Sequence, residues 1–398
     1  VNAASRVALV ACPDYDRQRV RDAVQRGLDL LGPGSLPSAA GLNGKRLLLK
    51  PNLLRTAPAG KGVTTHPEVF AAVAGSLVAR GLSLAYGDSP NGMFTPLAVA
   101  RSCGIHDAAF ALGVPLADFE TGVDVSFPGG LLDRRFTVAR GAVEAGGIVN
   151  LPRLKTHGLT TMTGALKNTF GVIPGGRKGE YHVTHPDVES FSRMIVDLNR
   201  AIPSCLVVMD AIMVMEGNGP ANGRLRAIGL LIITTDPVAA DAVGCRIMGI
   251  DPVAVPFVRI ADEAGLGNAH AGKIELLGET LEQYSRADMD VRARPLGQNV
   301  PRFLIRVAKD LIVSKPVIDD AKCSRCGQCV EACPTVPKSL RQEGQSTRGV
   351  PRYLYSACIR CYCCQETCPT GAISIRRAPL AGVFEARRES AGRGKSLT

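Results

Sequence analysis

The run Cys323-Ser-Arg-Cys326-Gly-Gln-Cys329-Val-Glu-Ala-Cys333-Pro334 recurs as Cys358-Ile-Arg-Cys361-Tyr-Cys363-Cys364-Gln-Glu-Thr-Cys368-Pro369. This spacing, met twice, is that of thiolates holding a cube of four irons and four sulfides. Three thiolates on one tight loop face three corners of a cube. The fourth, followed by proline, is carried away and reaches the other cube. One [4Fe-4S] cluster is therefore expected on Cys323, Cys326, Cys329 and Cys368, and a second on Cys358, Cys361, Cys364 and Cys333. Zinc also takes Cys-x-x-Cys pairs, but two complete copies with both prolines favour iron–sulfur. Cys363 is one thiol too many and is expected to be a non-ligand.

The segment 317–377 resembles the two-cluster bacterial-type ferredoxins, and Gly371-Ala-Ile373 after the second run is similar to that family too. It departs in its long polar connection, 334–357, and in charge. Residues 319–377 hold nine Lys/Arg against five Asp/Glu, net +4, where free ferredoxins of this type tend to be acidic. A basic module suits one committed to its own partner domain, or one docking an acidic donor.

The remaining cysteines, Cys12, Cys103, Cys205 and Cys245, sit in or beside apolar stretches and read as core thiols. Thirteen cysteines, nine of them packed into 323–368, make a secreted disulfide framework improbable. At 398 residues, two or three domains are expected. Apolar residues at 45% and charged residues at 21% fit an ordinary globular protein rather than a disordered one. No stretch of about 18 apolar residues lacks a charge or a breaker, so no membrane span is expected. The best candidate, 201–215, contains Pro203 and Asp210. The start runs straight into an apolar strand without a basic leader, and a cytoplasmic setting is expected. The net charge of +11 raises the question of nucleic acid. With no Trp, 5% aromatics and no basic run interleaved with aromatics, the sequence offers no stacking platform for it. Oxidised clusters would offset part of the excess charge.

Upstream of the cysteine runs, residues 6–12, 46–50, 82–87, 147–150, 205–210 and 229–235 read as short buried strands. Helical patterns cover 16–31, 67–80 and 237–248, with Pro67 and Pro237 suited to first turns. Alternating strands and helices predict an α/β layer with a mainly parallel sheet, plus the small α+β ferredoxin-like iron–sulfur domain at the C-terminal side. Turns after the strands carry Pro51-Asn52, Asp88-Ser89-Pro90 and Leu151-Pro152, the edge where open α/β sheets bind ligands. The expected division is an α/β domain over 1–300, a connecting amphipathic helix over 301–316, the two-cluster domain over 317–377 and a basic tail over 378–398. Phe303, Leu304, Val307, Leu311 and Ile312 fall on one side of that helix, which is expected to dock the two modules.

Residues 150–186 hold five Lys/Arg and three of the six His against one acid, Glu180, with Gly, Thr and Asn between them. A solvated basic loop is one reading. The sharper reading is an anion site in which Lys155 and Lys167 hold a carboxylate or phosphate and His157 donates a proton. Thr163-Gly164 would open a short helix bearing Lys167 and Asn168. His182 and His185 lack a nearby carboxylate and make a weak metal pair.

Six motifs then appear in order: Lys50-Pro-Asn52, Gly87-Asp88-Ser-Pro90, Lys155-Thr-His157, Thr163-Gly-Ala-Leu-Lys167-Asn168, Met215-Glu216-Gly-Asn-Gly-Pro220 and Asp236-Pro-Val-Ala-Ala-Asp241. Together they resemble domain-of-unknown-function family 362, over about 7–250. That resemblance implies an iron–sulfur-associated architecture rather than a particular reaction. The residues expected to bind or protonate a ligand are Lys50, Asn52, Asp88, Lys155, His157, Thr163, Lys167, Asn168 and Glu216. No Gly-x-Gly-x-x-Gly follows a strand, so an external donor such as a ferredoxin is expected instead of a nicotinamide. A ferredoxin-linked reductase acting on an anionic small molecule stands against a non-catalytic electron-transfer subunit or maturation factor. A polar cavity would favour the reductase, and a flat docking face the subunit.

Overall fold

The protein is described by a computed structural model covering residues 4–36, 38, 40–291, 311, 313–342 and 349–379. Its strands are, in chain order, β1 (Ser5–Ala11), β2 (Leu47–Pro51), β3 (Leu84–Tyr86), β4 (Gly122–Ser126), β5 (Arg135–Ala139), β6 (Gly147–Leu151), β7 (Arg153–His157), β8 (Thr161–Thr163), β9 (Ser204–Glu216), β10 (Arg224–Thr234), β11 (Ile274–Gly278), β12 (Lys315–Ile318), β13 (Leu340–Arg341), β14 (Arg352–Tyr353) and β15 (Ile373–Arg376).

Nine of these form the central sheet, in the order β11-β1-β10-β9-β6-β2-β3, with β7 also on β9 and β8 on β7. The pairs β11/β1, β9/β6, β6/β2 and β2/β3 are parallel, while β10 runs against both its neighbours. The reason lies in the connections. Strands β9 and β10 are joined by a short turn and must be antiparallel. Strands β7 and β8 are likewise a hairpin, while the parallel neighbours are joined by connections carrying helices, which permits parallel pairing. The sheet is mainly parallel, with β10 reversed within it and β8 running against β7.

Every strand of this sheet interior is covered on both faces, so apolar residues run continuously instead of alternating with polar ones. Val7 and Leu9 face the core under the helices Val188–Ala201, Pro237–Ile247 and Pro256–Glu263. Ala8 and Val10 face the core under the helices Arg17–Leu31 and Pro67–Val78. Helix starts follow the sequence signals. Asp16 caps the first helix through the amides of Gln18 and Arg19, and Asp236 caps Pro237–Ile247 through Val238 and Ala239. Cys12, Cys103 and Cys245 are buried and Cys205 is partly so, all as free thiols.

Strand β6 leaves β2 at Pro152, which has no N–H to extend the ladder. The chain resumes as β7, paired with β9 through Arg153↔Asp210 and Lys155↔Met215. Loops 52–65 and 87–93 and the short helix Ala165–Asn168 gather at the carboxyl ends of β2, β3 and β6.

The C-terminal module pairs β12 with β15 and β13 with β14, all antiparallel, around the short helices Gln328–Glu331 and Cys363–Thr367. Its sheet opens at Lys315, so 315–316 is strand and not the end of a helix. Pro316 has no place in a helix interior, and Lys315 pairs with Arg376 across the ladder. Of the expected connecting helix, 301–310 and Ile312 lie outside the described residues, and Leu311 is about half exposed. Residues 380–398 of the tail also lie outside them.

Candidate functional site

The two cysteine runs fold alike. Arg325 and Arg360 occupy the left-handed region at φ 60° and 63°, as do Gly327 and Tyr362 two residues later at 77° and 62°. Non-glycine residues rarely adopt this conformation. Here it curls each loop tightly around its thiols. Cys323, Cys326, Cys329 and Cys368 line one cavity. Cys358, Cys361, Cys364 and Cys333 line a second, so each run sends its last cysteine across.

The chemistry of these quartets suits a cationic metal group. Burial and then the neighbouring Cys368, Cys326 and Cys323 push the Cys329 thiol up to about 12. Four thiols crowded out of water cannot all ionise without positive charge among them. Burial also opposes ionisation of Cys333, but hydrogen bonds from Ser339 and Thr335 hold it below its ordinary value. Both hydroxyl oxygens lie 3.3 Å from its Sγ. Among the described residues, no three His, Cys, Asp or Glu side chains converge on a single-ion site.

The module is seated on the α/β domain by a polar latch. Gln365 Nε2 donates to Asn218 Oδ1 and to Gly219 O, both at 2.9 Å. Asn218 Nδ2 donates to Ile373 O at 2.9 Å, and Asn222 Nδ2 to Cys368 O at 3.0 Å. The turn after Glu216 is thus the docking element. Gly158 completes the contact, because a Cβ there would stand 2.4 Å from Ile375 Cδ1 and 3.2 Å from Tyr362 Cγ. Gln365→Ala leaves buried carbonyls unpaired and is expected to cost about 1–3 kcal/mol of docking energy. Hydrogen exchange should then quicken in 217–223 and 363–373 with iron content unchanged. Wild-type protection in both segments would exclude the latch.

A cavity of about 310 Å³ opens at this junction. Asn52, Asp88, Thr163, Lys167, Asn168, Lys178 and His182 line it from the α/β domain, and Glu331, Cys333, Cys363 and Glu366 from the cluster module. Several of the surrounding side chains are fixed by buried partners. Lys50, fully buried, lies 2.7 Å from Asp88 Oδ1, and Leu53 N donates to Asp88 Oδ2 at 2.6 Å. Burial pushes the Lys50 ammonium below its ordinary value, and Asp88 opposes that. Gly171 makes room for this pair, since a Cβ there would sit 1.8 Å from Asp88 Oδ1 and 2.5 Å from Lys50 Nζ. Asp241 accepts from the amides of Ala165 at 2.5 Å and Leu166 at 3.0 Å, fixing the helix that carries Lys167 and Asn168. Burial raises that carboxyl to about 7. Lys178 donates to Ser89 O and lies 5.8 Å from the Phe170 ring centroid.

Of the residues expected around an anion, Asn52, Asp88, Thr163, Lys167 and Asn168 line the cavity. Lys50, Lys155 and His157 stand behind that lining. Lys155 Nζ donates to Asn52 Oδ1 at 2.6 Å and Val63 O at 2.8 Å, and burial followed by Arg153 and Lys167 drives it well below its ordinary value. His157 Nδ1 accepts from Leu159 N at 3.0 Å, so Nε2 carries the proton, 2.8 Å from Glu366 Oε1. Burial and then Lys167 lower His157 to about 4, which keeps it neutral. Glu216 lies away from the cavity, in ion pairs with Arg224 and Arg226. His182 and His185 do not act together, for His185 Nε2 meets Asp133 at 3.2 Å. Lys178, His182, Cys363 and Glu366 are lining residues that the sequence did not single out as ligand contacts. The first two lay in the basic Gly-rich segment, and Cys363 was visible as a surplus thiol. Glu366 gave no signal.

Residues 47–246, half of the chain, match the family described as domain of unknown function (DUF362). Residues 315–369 match the 4Fe-4S dicluster domain. A thylakoid-associated protein of Synechocystis sp. is 36% identical over 224 residues, 56% of this chain and 69% of that protein. Among solved structures, lactate racemase apoprotein from Thermoanaerobacterium thermosaccharolyticum aligns over 63% of this chain with 12% identity and a TM-score of 0.38. A structural-genomics protein from Thermotoga maritima aligns over 57%, with 15% identity and a TM-score of 0.32. This chain spans 57% of the length of each of those two. No helix among the described residues is long and apolar enough to cross a membrane. By its matched half and its relative, the chain belongs to the DUF362 family, and it carries a 4Fe-4S dicluster domain behind the family's α/β core.

Proposed function

We propose that this iron–sulfur protein is a ferredoxin-linked reductase that carries electrons to an anionic small molecule bound in the junction cavity. The observation that carries this is Cys333, which lines both the second cysteine cavity and the 310 Å³ cavity. Cys323, Cys326, Cys329 and Cys368 would hold one [4Fe-4S] cluster, and Cys358, Cys361, Cys364 and Cys333 the other. So held, the clusters would supply one-electron chemistry, one electron each, fed by an external one-electron donor such as a ferredoxin. A two-electron reduction also needs two protons, taken up from solvent or from cavity side chains. Such oxygen-labile groups suit a reducing compartment, and we place the protein in the cytoplasm on that ground. A docking subunit alone has no need of a walled polar cavity at its module junction, which favours the enzyme.

The chain's residues supply the binding. Lys167 and Lys178 offer positive charge, and Asn52, Asn168 and Thr163 offer hydrogen bonds around it. Burial lowers Lys178 to about 8 and also lowers Lys167. An anion favours the protonated amine, so its affinity is present below that value and lost above it. Binding is expected to weaken about tenfold between roughly pH 7 and pH 9, by loss of a charge-assisted contact. The test uses anaerobically reduced protein mixed with a panel of carboxylates and phosphates, following reoxidation in the cluster absorbance. One or more anions should accelerate reoxidation, and do so less at high pH. If every anion leaves the rate at its blank value, the reductase reading falls.

A further inference from the structure

His182 stands in the cavity wall without a use in the contacts described so far. It belongs to the helix Lys178–Thr184 and is 6% exposed. Its ring lies flat on Phe191, with centroids 4.6 Å apart and planes 6° apart, and Phe170 meets it edge-on at 5.9 Å. Phe191 is itself fixed in the long helix Val188–Ala201. The imidazole is thus held in a two-sided aromatic slot, yet the protein supplies no hydrogen-bond partner for its Nδ1. Packing alone would be served better by phenylalanine, which fits such a slot and brings no buried nitrogen to satisfy. The ring also lines the cavity, so its cavity-facing edge, and not the enclosed Nδ1, is a built hydrogen-bonding position for whatever the cavity holds.

The charges around it set the sign of its response. Glu366 faces it from the cluster module, Lys167 from the helix Ala165–Asn168, His157 from β7 and Lys178 from its own helix. Burial, opposed by Glu366 and reinforced by Lys167 and Lys178, lowers the imidazole to about 3, so it is neutral while the cavity lacks an anion. An incoming anion screens Lys167 and Lys178 and adds negative charge beside the ring. Both effects favour the imidazolium.

Resting on the anion site proposed above, we propose that His182 contacts the ligand directly, shares its anionic oxygens with Lys167, and takes up a proton as the ligand binds. The ligand class is a small carboxylate or phosphate. The assignment makes His182 the proton-bearing group that His157 was expected to be, because His157 does not line the cavity: its Nδ1 accepts from Leu159 N and its Nε2 lies against Glu366.

The test is calorimetry on the full cluster-loaded chain, with inorganic phosphate and malonate as probes, in two buffers of different ionisation enthalpy. Wild type should bind at least one probe with net proton uptake. His182→Phe keeps the slot filled and should lose affinity about tenfold or more, the size of a lost charge-assisted contact. His182→Gln should keep much of the affinity but lose its share of the uptake. Lys167→Ala should weaken both probes. If His182→Phe binds with wild-type affinity and uptake while Lys167→Ala does not, the anion site stands and the role of His182 is overturned. If wild type binds neither probe, the anion site and the role of His182 fall together. Should His182→Phe fail to fold, the uptake of His182→Gln decides, and unchanged uptake rejects the proposal.

Discussion

Changing Cys358 to serine should cut bound iron from about eight to about four per chain and abolish turnover. Cys358 lines the cavity completed by Cys333, and Cys333 is also part of the ligand cavity wall. On the proposed function, losing this quartet would remove the electron source beside the anion, whatever happens at the other one. Cys323→Ser should also halve the iron, but with a small chemical reductant it should leave cavity-linked reoxidation detectable. Cys363→Ser is the control. Cys363 sits in the same run and lines the ligand cavity, but lies outside both quartets, so iron should stay near eight. Iron and sulfide analysis with spectroscopy of the reduced state separates the three variants. A Cys358→Ser protein retaining the full iron count, or wild type holding zinc in its place, would refute the assignment.

Asp88→Ala should be among the most destabilising single changes in the α/β domain, at about 3–5 kcal/mol. It strands the Lys50 ammonium, which is fully buried, and removes the acceptor of the Leu53 amide. The same loop carries Ser89, whose carbonyl anchors Lys178, so ligand binding should weaken as well. The pair is costly to break rather than valuable in itself, because two charges taken out of water recover little beyond their desolvation. A Lys50→Met, Asp88→Leu double variant should therefore regain much of the stability but none of the ligand binding. Denaturant unfolding of the two variants tests this. A loss below about 1 kcal/mol for Asp88→Ala would show that the ammonium finds another partner or water.

The strands read at 6–12, 46–50, 82–87, 147–150 and 229–235 correspond to β1, β2, β3, β6 and β10, because burial on both faces writes an unbroken apolar run. Strand β7 was not read as a strand, its segment being taken either as a solvated basic loop or as an anion site. Its residues Arg153, Lys155, Thr156 and His157 are polar and yet buried. What makes that burial tolerable is supplied from far along the chain, by Asn52 for Lys155 and by Glu366 for His157. A one-dimensional reading sees the charge and not the partner. Glu216 was misleading for the opposite reason. Its motif was visible, but its carboxylate serves Arg224 across the β9–β10 hairpin, while the neighbouring Asn218 and Gly219 seat the cluster module. The crossed cysteine quartets were legible because their spacing alone limits which thiols can reach one cube.

One wall of the ligand cavity, including Glu331, Cys333 and Glu366, belongs to a module whose own apolar core is small and built largely around cysteines. Modules of that kind owe their folding free energy to the metal they bind. On the proposed function, a newly made chain would therefore offer its anion half an enclosure until its clusters were installed. Nutrient iron would then govern whether that anion is captured at all, before any question of how fast it is reduced. Chains that fail maturation would stay idle instead of sequestering it.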